Sequence, residues 1–308
     1  MKAESQYTSS NMKLLHHLDR LQLAQKGIFK PIMLELAPTN KCDLNCIFCS
    51  VANRGQSKEL SLNEIVNAVT QFKHLGLLAI ELTGGGDPLC HPDIGKIVDV
   101  LFTMELDLGL ITNGLRLNTS LTQRQLRKFE WIRISLNTLD YRKELSFQIP
   151  HGPTLGFSYV WNSLSTPAKL EEVSKYAQEY HAQYVRVVGD CLSSSRIDKA
   201  RKEIAPLMPK YPHFFFSMKG YDKPEECWLG YLRPFLNADG FVYRCSACPL
   251  VHRKFHPHWR MCYYSNIIQF WKKPAKPFAT DKCGLCFFKP QNDLLSSIIN
   301  PVEHQNFI

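Results

Sequence analysis

Between residues 31 and 204 short apolar runs alternate with longer amphipathic stretches, and this rhythm limits the fold more than any other feature. The run Pro31-Ile-Met-Leu-Glu-Leu-Ala37 reads as a buried strand, and 78–83, 108–112, 131–135, 156–161 and 184–188 repeat the pattern. Helical segments lie between them. Ser61-Leu-Asn-Glu64 is a capping box opening a helix that Gly76 can close. Further helices are predicted at 93–103 and 121–129, from Thr166-Pro167 onward, and at 196–204. Six β/α units in succession predict a parallel sheet with right-handed crossovers. Curled, such a sheet is three-quarters of a TIM-like barrel, a partial (β/α)6 fold. Chemistry in such barrels gathers at the C-terminal ends of the strands.

Directly after the first strand comes Cys42-Asp-Leu-Asn-Cys46-Ile-Phe-Cys49. Three soft thiolates on one loop can wrap three corners of a cubane [4Fe–4S] cluster, leaving the fourth iron open to a small chelating molecule. The competing readings are a zinc site and three unrelated core thiols. Zinc usually takes four ligands in paired short spacings, and no fourth Cys or His lies near. Eleven cysteines in a chain showing no secretory pattern point to metal ligation in a reducing compartment, so the expected location is cytoplasmic. No apolar run approaches the length of a membrane span. The formal charge of +9 sits mainly in residues 201–308, with 15 Lys/Arg against 8 Asp/Glu, compared with 22 against 20 before them. That excess would suit an anionic partner or simply a solubilising surface.

The C-x3-C-x2-C spacing, with Phe48 just before the last cysteine, resembles the signature of the radical S-adenosylmethionine (radical SAM) superfamily. The resemblance implies that the amino and carboxylate groups of SAM chelate the open iron. It also implies that one electron splits SAM to a 5′-deoxyadenosyl radical, which abstracts hydrogen from substrate. Gly84-Gly85-Gly86-Asp87-Pro88, after the second strand, resembles the family's Gly-Gly-Glu-Pro motif for the methionine amine, with Asp87 in place of Glu. Thr112-Asn113-Gly114 ends the third strand, where the family carries a segment near the adenosine. Ser135 and Asn137 end the fourth, resembling a Ser-Leu-Asp segment near the ribose and carboxylate, with Asn137 departing from Asp. Asn162 ends the fifth and is a further candidate to face the cofactor; Asp190, after the sixth, reads equally as a substrate contact or a loop cap.

A second cysteine constellation follows. Cys227-x12-Gly240-x4-Cys245, a short Trp-bearing helix at Trp271, and Cys283-x2-Cys286 resemble the single-cluster "twitch" form of the SPASM/twitch auxiliary domains of radical SAM enzymes. Residues 237–245 read as a β-hairpin turning at Asp239-Gly240, with Cys245 at its end. The resemblance implies an auxiliary [4Fe–4S] cluster held by Cys227, Cys245, Cys283 and Cys286. An alternative set, Cys245, Cys248 and Cys262, resembles the molybdenum-cofactor cyclase branch and would leave an iron open to substrate. The four-cysteine set is favoured because the hairpin and the C-x2-C pair both fit it. A zinc site from His252, His256 and His258 with Cys248 and Cys262 is a third option. Cys90 and Cys191 are most simply buried apolar residues.

The division expected is a tail and helix in 1–30, a radical SAM core in 31–205 and an auxiliary module in 206–308. The helix is placed at about 12–26, with Leu14, Leu15, Leu18, Leu21 and Leu23 as its apolar positions. A one-electron reductant such as flavodoxin or ferredoxin is an implied partner. The mixture of cations and aromatics in 252–260 reads equally as a surface that grips phosphates and stacks bases, which would suit a nucleotide or nucleic-acid substrate, and as a solvated loop whose aromatics pack on the module. The alternatives are a peptide maturase, a polyol or sugar dehydrogenase and, from another class, a structural zinc protein.

Overall fold

The computed structural model describes residues 7–218, 220, 222–300 and 303. Strands β1 (Met33–Leu36), β2 (Ala79–Leu82), β3 (Asp107–Thr112), β4 (Trp131–Ser135), β5 (Thr154–Trp161), β6 (Tyr184–Gly189) and β7 (Phe214–Ser217) pair in sequence order, all parallel. Their C-terminal ends therefore share one rim, as in a partial barrel. The helices cover the outer face. Ile65, Ala68, Val69 and Phe72 recur at helical spacing and are fully buried against Leu34, Leu36, Ile80 and Leu82 of the sheet. Ser61 and Glu64 form the predicted capping box of the helix Leu62–His74. Gly76 (φ +95°) ends it in a Schellman turn, with Leu77 N–H on the Phe72 carbonyl at 3.0 Å and Gly76 N–H on that of Lys73 at 2.8 Å.

The alternation predicts six strands, and among the described residues the sheet holds ten. β7 continues it past β6, because the aromatic run Phe214-Phe-Phe216 supplies a strand without an apolar/polar alternation to announce it. At the other edge β9 (Phe235–Leu236) lies parallel to β1, followed by antiparallel β10 (Phe241–Tyr243) and β11 (Arg260–Tyr263). The hairpin of the C-terminal segment is thus part of the barrel sheet. β8 (Glu226–Cys227) pairs separately with β12 (Phe278–Ala279).

Three local expectations need correction. The hairpin turns through residues 238–240, not through a two-residue Asp-Gly turn: Asn237 N–H reaches Phe241 O at 3.1 Å and Gly240 takes φ +83°. The helix expected at 12–26 is a 3-10 turn, Asn11–His16, and an α-helix, Leu18–Gln25, broken at His17. Leu15 and Leu18 are exposed, while Leu14, Leu21 and Ala24 pack in a cluster with Leu295 and Trp228. The helix expected at 121–129 is two short ones, Leu117–Ser120 and Gln123–Leu126, because Leu121 turns extended and Thr122 with Gln125 caps a new start. Among the described residues no helix is long and apolar enough to cross a membrane.

Candidate active site

The loop leaving β1 is closed at its base, where Asn40 N–H bonds Lys58 O and Leu60 N–H bonds Pro38 O, both at 2.9 Å. Arg54 ties its interior, donating from Nε to Asn40 O (2.7 Å) and from Nη1 to Val51 O (3.1 Å) and Cys49 Sγ (3.5 Å). Cys42, Cys46 and Cys49 are free thiols, none of them fully buried. Burial first, then the neighbouring Cys49 and Cys42 sulfurs, push Cys46 up to about 12; burial likewise raises Cys42. Among the described residues no three His, Cys, Asp or Glu side chains come together closely enough to hold a single metal ion. A metal takes such thiols as thiolates, so binding one would release their protons. Phe48 is half-buried between Cys46 and Cys49.

The Gly84–Gly86 turn runs against this loop. Gly86 N–H bonds Thr39 O and Asp87 N–H bonds Lys41 O, at 2.9 and 2.8 Å. A Cβ on Gly86 would sit 1.9 Å from Lys41 O, so the close backbone approach requires glycine. Asp87 is buried and its carboxylate accepts from Leu89 N–H (3.0 Å), Asn113 N–H (2.6 Å) and the Thr112 hydroxyl (2.9 and 3.0 Å). It locks the ends of β2 and β3 together. Burial raises its pKa against the pull of those donors. The Asn113 side-chain amide in turn approaches Cys42 Sγ at 3.7 Å.

Asn137 and Asn162 are differently engaged from what the strand-end pattern predicts. Both amides donate to the Asp140 carboxylate and to Val160 O, at 2.8–3.0 Å. Their oxygens accept Val160 N–H and Leu164 N–H, and Tyr159 Oη completes the cluster on Asp140 at 2.8 Å. Asp140 is the residue sequence reasoning missed, although an acid three positions after Asn137 on the same strand end was a usable signal. Its charge helps raise Cys46, and its neighbour Tyr141 accepts Ile47 N–H at 3.0 Å, tying the end of β4 to the cysteine loop. Ser135 is half-buried at the end of β4, and its hydroxyl makes no hydrogen bond among the described residues. Asp190 caps its own loop, bonding Leu192 N–H (3.0 Å) and pairing with Arg196 (2.8 Å).

The second constellation surrounds a pocket partly open to solvent, lined by Cys227, Cys245, Cys283 and Cys286 and also by Cys248. Burial pushes Cys227 up to about 12 and Cys286 up to about 11. The Cys248 thiol and burial hold Cys245 well above the ordinary thiol range. Arg244 donates to Cys283 Sγ at 3.6 Å. Cys262 lies apart: it pairs with Val242 in the sheet and packs on the main core, and the cavity is not lined by it. His252, His256 and His258 assemble no ligand group with Cys248 and Cys262 among the described residues. The aromatics of that run turn inward; Trp259 is buried and Phe255 stacks on Phe235 at 4.7 Å. Cys90 and Cys191, expected to be buried, are half-exposed, and the Cys90 thiol faces Asp43 at 3.5 Å.

Residues 36–166 match the family profile of the Radical SAM superfamily. Over this stretch the chain is similar to the radical SAM superfamily, whose members work with a [4Fe–4S] cluster and S-adenosylmethionine. Among curated proteins it is similar to a probable GTP 3′,8-cyclase of Archaeoglobus fulgidus, 33% identical over 113 residues, 36% of this chain and 37% of that protein. It is also similar to human molybdenum cofactor biosynthesis protein 1, 36% identical over 112 residues, 34% of this chain and 18% of that protein. The matched stretch thus spans 37% of the one relative and 18% of the other. Among solved structures, Streptococcus suis SuiB bound to S-adenosylmethionine superposes with a TM-score of 0.55 at 16% identity, covering 95% of this chain and 74% of that one, a likeness of fold alone.

Proposed function

We propose that the chain is a radical SAM enzyme in which Cys42, Cys46 and Cys49 hold the [4Fe–4S] cluster that binds SAM. The observation carrying this reading is that the loop bearing three free cysteines is hydrogen-bonded to the Asp87-locked glycine turn at one rim of the sheet. Held by these cysteines, a cluster would pass one electron from an external reductant to bound SAM, which would split into methionine and a 5′-deoxyadenosyl radical able to take hydrogen from a substrate carbon. The residues of the chain bind and orient. Gly84–Gly86 bring peptide groups close to the ligand, Asn113 steadies Cys42, and the hydroxyl of Ser135 is free to meet the cofactor. Asn137, Asn162 and Asp87 support that rim from behind, since their hydrogen bonds are satisfied by the protein.

The cavity cysteines Cys227, Cys245, Cys283 and Cys286 are assigned an auxiliary [4Fe–4S] cluster, with Cys248 a fifth thiol on the same wall. The substrate assigned is a nucleotide, supported by relatives named as GTP 3′,8-cyclases and by the basic C-terminal third. The inward packing of Phe255 and Trp259 removes the stacking aromatics that favoured a nucleic acid. The test is anaerobic reconstitution followed by incubation with SAM, a flavodoxin or dithionite reductant and ribonucleoside triphosphates deuterated on the sugar. 5′-Deoxyadenosine should form, should carry deuterium from one nucleotide, and should be absent with Cys46→Ala. Bound zinc in place of iron and sulfide ends the enzyme reading; unlabelled 5′-deoxyadenosine with every nucleotide ends the substrate assignment alone.

A further inference from the structure

The C-terminal segment reaches back to the first cysteine loop at one place. Arg253 donates from Nε to Cys49 O (3.1 Å) and from Nη2 to Ile47 O (3.0 Å), so one guanidinium spans the carbonyls on either side of Phe48. In the opposite sense, Asn53 N–H bonds Arg253 O (2.8 Å) and the Asn53 amide bonds His252 O (3.1 Å). Arg253 takes φ +52°, a conformation uncommon outside glycine, and is held there by anchors on both sides. On one side Phe255 stacks on Phe235 and packs on Tyr243, at 4.7 and 4.6 Å. On the other, the turn Cys248–Val251 begins at a cysteine on the wall of the auxiliary cavity. Such two-pronged, charge-assisted bonds fix geometry more firmly than single neutral ones.

We propose that Arg253 is a positioning residue for the first cluster: this strap sets the curvature of the loop between Cys46 and Cys49, and it joins that loop to the auxiliary cavity through five residues of chain. The inference rests on the reading that Cys42, Cys46 and Cys49 hold the cluster. The strap's hydrogen bonds can be probed on metal-free protein, independently of any cluster, which separates the two.

The test compares the full-length protein with Arg253→Gln, Arg253→Lys and, as a control, Lys254→Ala, whose side chain is exposed. The first readout is amide hydrogen exchange across residues 44–54 of the metal-free protein. The second is the low-temperature EPR signal of the reduced first cluster with and without SAM, with auxiliary-cluster iron reporting that each variant is folded. Arg253→Gln should speed exchange at residues 47–53 by about tenfold and broaden or abolish the SAM-induced change in the EPR signal. Arg253→Lys, able to reach one carbonyl, should fall between, and Lys254→Ala should match the parent. Unchanged exchange, or faster exchange with an unchanged SAM-induced signal, overturns the inference while leaving the cluster assignment standing. A parent protein that forms no first cluster overturns both.

Discussion

Asp87 offers the sharpest test of how the rim is held. Asp87→Ala leaves three buried donors without an acceptor: Leu89 N–H, Asn113 N–H and the Thr112 hydroxyl. Each buried donor so stranded costs about 1–3 kcal/mol. Against that, the parent already bears a cost for burying a carboxylate, seen as a pKa raised by desolvation, and the alanine relieves it. The balance is a loss of about 3 kcal/mol. Asp87→Asn keeps one acceptor oxygen but turns an N–H2 toward the other donors, so about half that loss is expected. The raised pKa also fixes the pH trend. A folded-state pKa above the unfolded value gives stability that is full below the unfolded value, 3.8, and fades as pH rises through the folded one, so the cost of Asp87→Ala shrinks with rising pH. Urea unfolding of the metal-free protein, read as midpoint at constant slope, measures all three. A loss under about 1 kcal/mol for Asp87→Ala, or a cost that grows with pH, would refute the reasoning.

The remaining predictions concern the close glycine contact, the buried ion pair and the two cysteine sets. Gly86→Ala should destabilise by at least about 2 kcal/mol, because its Cβ would meet the rigid Lys41 carbonyl, and should abolish SAM binding measured by calorimetry on the reconstituted protein. Arg233, largely shielded, pairs with the buried Glu35 at 2.9 Å, so Arg233→Met should cost about 3–5 kcal/mol in denaturant unfolding. Burial raises Glu35 from 4.5 to about 7, so its share of stability is full below about 4.5 and is lost as pH rises through about 7; Glu35→Gln should flatten that slope. Cys227→Ser should remove about half of about eight irons per chain, whereas Cys262→Ser should leave the iron count unchanged, since only the former faces the cavity.

How much of this was legible in the sequence follows the range of the forces involved. β1 to β6, the capping boxes and the turn at Gly76 are written in neighbouring residues, because apolar periodicity and backbone-capping side chains act within a few positions. The rim was legible in the same way, since a strand's end is a local fact and Cys42, Gly84, Asn113, Asn137 and Asn162 all follow one. Which of these groups faces outward was not. Asn137 and Asn162 carry the residue type of ligands, yet Asp140 and the backbone of Val160 take up their hydrogen-bonding capacity across a strand pair. Asp87 is likewise committed to β3. The pairing of Glu35 with Phe235 places β9 beside β1 across 200 residues, and no local pattern states it. Arg253 lies inside a basic, aromatic run that reads as a binding surface; only the fold reveals that its guanidinium is aimed at the first cysteine loop. A polar residue at a strand end is therefore a candidate until its donors and acceptors are counted. At this rim that count leaves the Ser135 hydroxyl without a hydrogen-bond partner among the described residues.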